Sequence, residues 1–179
     1  MYEIFADLHI HIGRSENGKP IKITGARSLN FANIAKECYE RKGIQVAGII
    51  DCASPYVIED IENFLKTGDA YELKDGGIIY KDKVCILLGS EVETSEKGRN
   101  GKSGSAHNVC FFPYLKDIKG FSNELAKHVK NVTLSTQRSD LSGYDLVDIV
   151  EKYNGIVIPA HIFTPHKSYY GNCTDRLKD

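Results

Sequence analysis

Polar side chains that interrupt or end apolar runs are the first candidates for chemistry. The segment FADLHIHIGRS, residues 5–15, places His9 and His11 one residue apart among apolar neighbours. Side chains alternate across a strand, so Asp7, His9 and His11 share one face while Leu8, Ile10 and Ile12 share the other. Two imidazoles at i and i+2 can converge on one cation, with Asp7 orienting one of them. A pair of hydrogen-bonded structural histidines explains an isolated H-x-H equally well. Further polar groups close other hydrophobic runs: Asp51-Cys52 after VAGII, Glu91 after ILLGS and His161 after IVIPA. Active sites of α/β barrels are assembled at the carboxyl ends of strands. His107 precedes its run, HNVCFFP, so it reaches the same place only through a local reversal of chain direction or a bent loop. His9, His11, Glu91, His107 and His161 form a donor set suited to zinc, manganese or iron, and too rich in imidazole for magnesium or calcium. Two cations about 4 Å apart, bridged by Glu91, can activate a water and stabilise both oxygens of an in-line phosphoryl displacement. Hydrolysis of a phosphate ester is the expected reaction.

Around this set lie residues with weaker signals. Arg138 in STQRSD, and Lys167 with Tyr169-Tyr170 in TPHKSYYG, combine cations and aromatics in the way that contacts to phosphates and bases require. His166 lies close enough to His161 to touch a substrate, and His128, near a helix end, reads as a surface residue. The five cysteines (Cys38, Cys52, Cys85, Cys110 and Cys173) are scattered without a C-x-x-C pair, which indicates neither a disulfide framework nor a zinc ribbon.

These groups need a scaffold. The chain has 179 residues, 41% hydrophobic and 26% charged, which fits one globular domain. With 23 basic against 24 acidic residues there is no bulk pull toward nucleic acid or membrane, so an anionic substrate must be held locally. No apolar run reaches a membrane span and the start shows no signal-peptide layout, so a cytoplasmic location and no membrane partner are expected. Strand-like runs fall at 3–12, 44–51, 83–91, 107–113, 131–135 and 155–163. Helical patterns fall at 28–43, at 54–68 with Ser54 as cap and Pro55 at the first position, and at 143–155. The alternation predicts a largely parallel sheet. Residues 68–82 read as a small hairpin. Residues 94–106, rich in Gly and Ser and carrying Lys97, Arg99 and Lys102 beside Glu96, read as a mobile surface loop.

Laid out in this way, the chain resembles the polymerase and histidinol phosphatase (PHP) family. DLHIH looks like its first motif, GIID its second, GSEVE the glutamate-bearing one, and AHN and PAH the later single-histidine motifs, in matching order over nearly the whole chain. The resemblance implies a distorted TIM-like (β/α)7 barrel holding two or three divalent metals, zinc foremost, with manganese or iron as alternatives. His9, His11 and Glu91 would share one metal, and Glu91 would bridge to a second held by His107 and His161. FADLHIHIGRS, KPIKITGARSL, IIDCASP, LLGSEVE, LSTQRSD and PAHIFTPHKSYYG are similar, more narrowly, to the N-terminal half of endonuclease Q-like repair nucleases. That similarity implies a DNA partner carrying uracil or hypoxanthine, flipped from the helix, with Ser135, Arg138 and Tyr170 as contacts.

Two departures qualify the match. Cys52 stands where the wider family commonly has histidine, either as a thiolate ligand or as an inert thiol, and the closing Asp-x-His motif has no counterpart before Asp179. The expectation is therefore one metal-dependent phosphodiesterase domain over residues 1–179. It would be an incomplete barrel of low or no activity by itself, with an exposed sheet edge that invites a homodimer. The alternatives are a phosphomonoesterase of the histidinol-phosphatase type and a non-catalytic DNA- or metal-binding domain.

Overall fold

The computed structural model describes residues 3–98 and 101–176. A seven-stranded sheet forms its centre: β1 (Ala6–Ile10), β2 (Val46–Ile49), β3 (Ala70–Glu72), β4 (Ile78–Tyr80), β5 (Val84–Lys97), β6 (Ser103–Phe112) and β7 (Ile156–Pro159). β1 and β2 pair in parallel, as do β2 and β5. Every other pairing, β3 with β4, β4 with β5, β5 with β6 and β6 with β7, is antiparallel. The sheet is thus mixed rather than largely parallel. It is also not closed: among the described residues β1 pairs only with β2, and β7 only with β6, so a TIM-like barrel is not formed.

The segment at 94–106 is no loose loop. β5 runs on to Lys97 and turns back into β6, with Glu91 opposite Val109, Glu93 opposite His107 and Lys97 opposite Ser103. Its polar, Gly-rich composition hid ladder pairing that depends on backbone groups. Lys102 bonds Asp175, while Arg99 lies outside the described residues. The reversal of direction that His107 required is this hairpin. The expected strand at 131–135 is instead a series of turns, in which Leu134 donates to the Asn131 carbonyl and Ser135 to that of Ile21. β-Branched residues there found no neighbouring strand, and propensity alone does not make one.

Four helices cover one face of the sheet: α1 (Phe31–Glu37), extended by a π-helical turn at Cys38–Lys42, α2 (Pro55–Lys66), α3 (Leu115–Leu125) and α4 (Gly143–Lys152). Asn30 caps α1 through the Asn33 N–H, and Gly43, at φ 64°, ends the turn that follows. Ser142 and Asp145 form a reciprocal capping box on α4. Ser54 begins α2 but spends its hydroxyl on the Thr133 carbonyl, at 2.8 Å. α3 has no side-chain cap bond at its start, which left its pattern without an opening signal in the sequence.

Alternation along the strands splits the apolar side chains. Ile49, Ile86, Leu88, Cys110 and Phe112 join Ile12, Ile61, Phe121 and Leu146 in the core under the helices. Leu87, Val109 and Phe111 face the other way, with Ile50 and Ala160, as a small apolar floor. On this concave side, β1 is exposed at Leu8, and β7 at Ile156 and Ile158. No helix among the described residues is long and apolar enough to cross a membrane.

Candidate metal centre

The concave face carries the chemistry, and Glu91 is its hub. The i, i+2 rule puts Glu91 and Glu93 on one face of β5, and the antiparallel register brings His107 beside them. Glu91 is 4% exposed. His9 Nε2 lies 3.3 Å from one of its oxygens, His11 Nε2 3.6 Å from the other, and His107 Nδ1 3.4 Å from the first. His161 Nε2 lies 3.3 Å from His107 Nδ1. Two groups result, His9–His11–Glu91 and Glu91–His107–His161, and the ligand atoms of each lie within 4.8 Å of one another. The fold thus brings His9, His11, Glu91, His107 and His161 together in two groups that share Glu91.

Burial pushes the Glu91 carboxyl upward, but hydrogen bonds from His107, His9 and Thr136 outweigh it and hold the group well below the usual carboxylate range. In return the hydrogen bond to Glu91 raises the His9 imidazole against a smaller effect of burial. An ionised carboxylate ringed by imidazoles is an arrangement that a shared divalent cation completes.

His11 is set up in detail. Its Nδ1 lies 3.1 Å from Asp51 Oδ2, which also accepts from the Ile12 N–H at 2.7 Å. The Lys22 ammonium can only donate, and it lies 2.7 Å from Nε2. The two contacts fix one tautomer: Nδ1–H donates to Asp51, and the Nε2 lone pair accepts from Lys22, which a metal at that nitrogen would displace. Asp51 therefore does what was expected of Asp7, whose carboxylate instead accepts from the backbone N–H of His9. The other Asp51 oxygen is buried without a hydrogen-bond partner among the described residues. That orphaned acceptor, the donor set and the ionised Glu91 together fit a metal centre.

The remaining expected residues scatter. Cys52 packs in the core, donates to the Ile49 carbonyl and has its thiol pushed up by burial, so it belongs to neither group. Ser135 Oγ lies 3.3 Å from His11 Nδ1. Arg138 Nε lies 4.0 Å from Glu93, and the Lys167 ammonium bonds that same carboxylate. Tyr170 stacks on Phe163, Tyr169 turns to Asn108 and Glu96, and His166 is exposed.

Sequence reasoning passed over Glu93, Lys22 and Thr136. Glu93 could have been found from its i+2 relation to Glu91. Lys22 and Thr136 depend on contacts across the chain: the Lys22 N–H bonds the Ile12 carbonyl, and Thr136 Oγ1 donates to Glu91 at 2.7 Å. Three residues of the site region, Thr136, His161 and Lys167, hold positive φ at 48°, 31° and 54°. For non-glycine residues, and above all for β-branched Thr136, that conformation is strained, and such strain gathers where function demands a geometry. Gly13, which follows the HIHI run, admits no side chain, since a Cβ there would lie 2.0 Å from the Ala26 carbonyl oxygen.

No protein-family model matches the chain. It is 48% identical over 171 residues to the uncharacterized protein YqxK of Bacillus subtilis, covering 96% of this chain and 43% of that one. It is 27% identical over 161 residues to the uncharacterized protein MJ0043 of Methanocaldococcus jannaschii, covering 89% of this chain and 16% of that one. The chain thus spans less than half the length of the relatives it matches. Two crystal structures share its fold at TM-score 0.73. One is endonuclease Q in complex with a 27-mer duplex bearing an abasic lesion at the active site, at 23% identity over 97% of this chain and 38% of the other. The second is the lesion-specific endonuclease PfuEndoQ of Pyrococcus furiosus, at 22% identity over 98% and 38%.

Proposed function

We propose that residues 1–179 form the metal-holding part of a DNA repair endonuclease of PHP type, which cuts a phosphodiester beside a deaminated base such as uracil or hypoxanthine. The observation that carries this reading is the pair of three-residue groups meeting on one buried, ionised carboxylate, Glu91. The fold shared with endonuclease Q, seen with a lesion-bearing duplex, supports DNA as the substrate class.

His9, His11 and Glu91 would hold one divalent ion, and Glu91, His107 and His161 a second. Zinc suits this donor set best, and manganese or iron are the alternatives. When bound, the metals supply Lewis acidity toward the phosphate and lower the pKa of water. The chain's own groups do the rest. Asp51 holds the proton of His11 on Nδ1, so that Nε2 would be its ligand atom, and Thr136 donates to Glu91. Lys22, Arg138 and Lys167, gathered at the rim by His11 and Glu93, stand ready to offset the charge of a DNA backbone. Self-association across the open β1 and β7 edges would cover their apolar side chains.

The test is a nicking assay on duplexes carrying uracil, hypoxanthine or no lesion, run with zinc, with manganese and with chelator, beside phosphate release from small monoesters. Metal-dependent nicking confined to the lesion duplexes is the expected result, weak for residues 1–179 by themselves. Phosphate release from the monoesters without nicking would overturn the reading.

A further inference from the structure

The segment after β7 contains more than a metal ligand. Phe163, two residues past His161, is 78% exposed. Its ring stacks on that of Tyr170, with centroids 5.1 Å apart and planes 28° from parallel. An exposed phenyl ring at the tip of a loose loop would need no explanation. This loop, however, is tightly built. Tyr170 N–H donates to the Ile162 carbonyl and Thr164 N–H to that of His161. The Thr164 hydroxyl donates to the His166 carbonyl, the Ser168 hydroxyl to that of Thr164, and Gly171 N–H to the Ser168 hydroxyl. Gly171 is packed so closely that a Cβ would sit 1.9 Å from the Thr164 carbonyl oxygen. The Lys167 carbonyl accepts from the His107 N–H, which ties the loop to the strand that carries a candidate ligand. A fixed loop therefore holds Phe163 in solvent, backed by the half-buried Tyr170, beside the candidate metal centre, with Lys167 on the same loop bonded to Glu93.

Burial of a second ring face is what this arrangement lacks, and a nucleobase supplies one. Every base has a π-face, and aromatic side chains beside cations are the usual platform for unstacked nucleotides. We propose that Phe163, backed by Tyr170, stacks on an unpaired base next to the phosphate at the metal centre. This proposal rests on the nucleic-acid reading above. The role is sequence-tolerant, because stacking reads no hydrogen-bonding edge. It differs from recognition of the damaged base itself, and it leaves the metal ligands untouched.

The experiment measures binding of the whole chain to fluorescein-labelled oligothymidylate, and to a strand of equal length whose nucleotides are all abasic, by anisotropy at fixed salt. The wild-type chain is expected to prefer the strand with bases. Phe163→Ala should weaken oligothymidylate binding about tenfold, leave the abasic strand unchanged and so erase the preference. Phe163→Trp should retain the preference. Phe163→Leu keeps an apolar side chain without a π-face, so it should behave like Phe163→Ala, and matched melting curves confirm that all four chains are folded. If Phe163→Ala binds both strands as the wild type does, or loses both equally, the stacking role is overturned while the DNA reading stands. If the wild-type chain binds neither strand, the DNA reading falls and takes this proposal with it.

Discussion

The two faces of the sheet are built from the same strands and obey opposite rules. Under the helices, Ile86, Leu88, Cys110 and Phe112 pack against Ile61, Phe121 and Leu146, and the Phe112 and Phe121 rings meet at 4.6 Å. On the concave face, the residues that alternate with them on β5 and β6 are Glu91, Glu93, His107 and Val109, an arrangement of charge over a thin apolar floor. The first face gains from removing carbon from water. The second holds a buried carboxylate and imidazoles at hydrogen-bonding range, with strained backbone at Thr136 and His161, and these are costs that a folding ledger alone does not justify. Fold and site are thus separable sets of side chains on shared backbone.

The largest expected effect tests that separation directly. Phe121→Ala empties part of the helix-covered core and should cost about 3–5 kcal/mol in urea or thermal unfolding, with metal affinity of the folded fraction little changed. Glu91→Gln should do the reverse, lowering zinc affinity more than about 100-fold, read by competition with a chromophoric chelator, while the metal-free melting temperature moves far less than in Phe121→Ala. Equal losses of stability in the two variants would break the comparison.

A smaller effect sharpens it within the concave face. Asp51→Asn keeps the shape but removes the charge that holds the His11 tautomer, so zinc affinity should fall by about 10–100-fold. Asp7→Asn, whose parent carboxylate among the described residues bonds only a backbone N–H at 3.1 Å, should change it by less than about threefold. Titration of the two variants side by side decides between the assignment from the structure and the one expected from strand alternation.

The difference between those aspartates shows what the sequence could and could not tell. Histidines in an apolar strand and acids at strand ends stand out because packing gives them no reason to be there, so His9, His11, Glu91, His107 and His161 were legible. Which carboxylate serves His11 was not, because Asp51 lies 40 positions away and meets it only through parallel pairing of β1 and β2. The β5–β6 hairpin was hidden for a related reason. Its outer half has few apolar side chains, and ladder bonds leave little trace in composition. Lys22 and Thr136 sit in irregular segments whose course is set by contacts with the rest of the chain. Local signals identified the elements that alternate cleanly, and long-range pairing decided the others.

The smallest expected effect lies on the helix-covered side, where Asp60, like Asp117 on α3, breaks that side's rule. Asp60 on α2 is 1% exposed beside Val57, Ile61 and Phe64, and among the described residues it accepts only the Glu16 N–H, at 2.9 Å. Burial raises its carboxyl from the usual 3.8 to about 6, opposed by that backbone hydrogen bond. The folded chain therefore keeps a proton that the unfolded chain gives up near pH 4. The resulting stabilisation is complete below pH 4 and is lost as pH rises through about 6. Asp60→Asn mimics the protonated form and still accepts from Glu16, so it should match the wild type at acid pH. Above pH 7 it should be more stable by on the order of 1 kcal/mol, read as a melting-temperature difference that grows across the pH 4–7 window. A difference independent of pH would mean that Asp60 is charged throughout, and that the helix-covered face tolerates a buried carboxylate as readily as the concave face does.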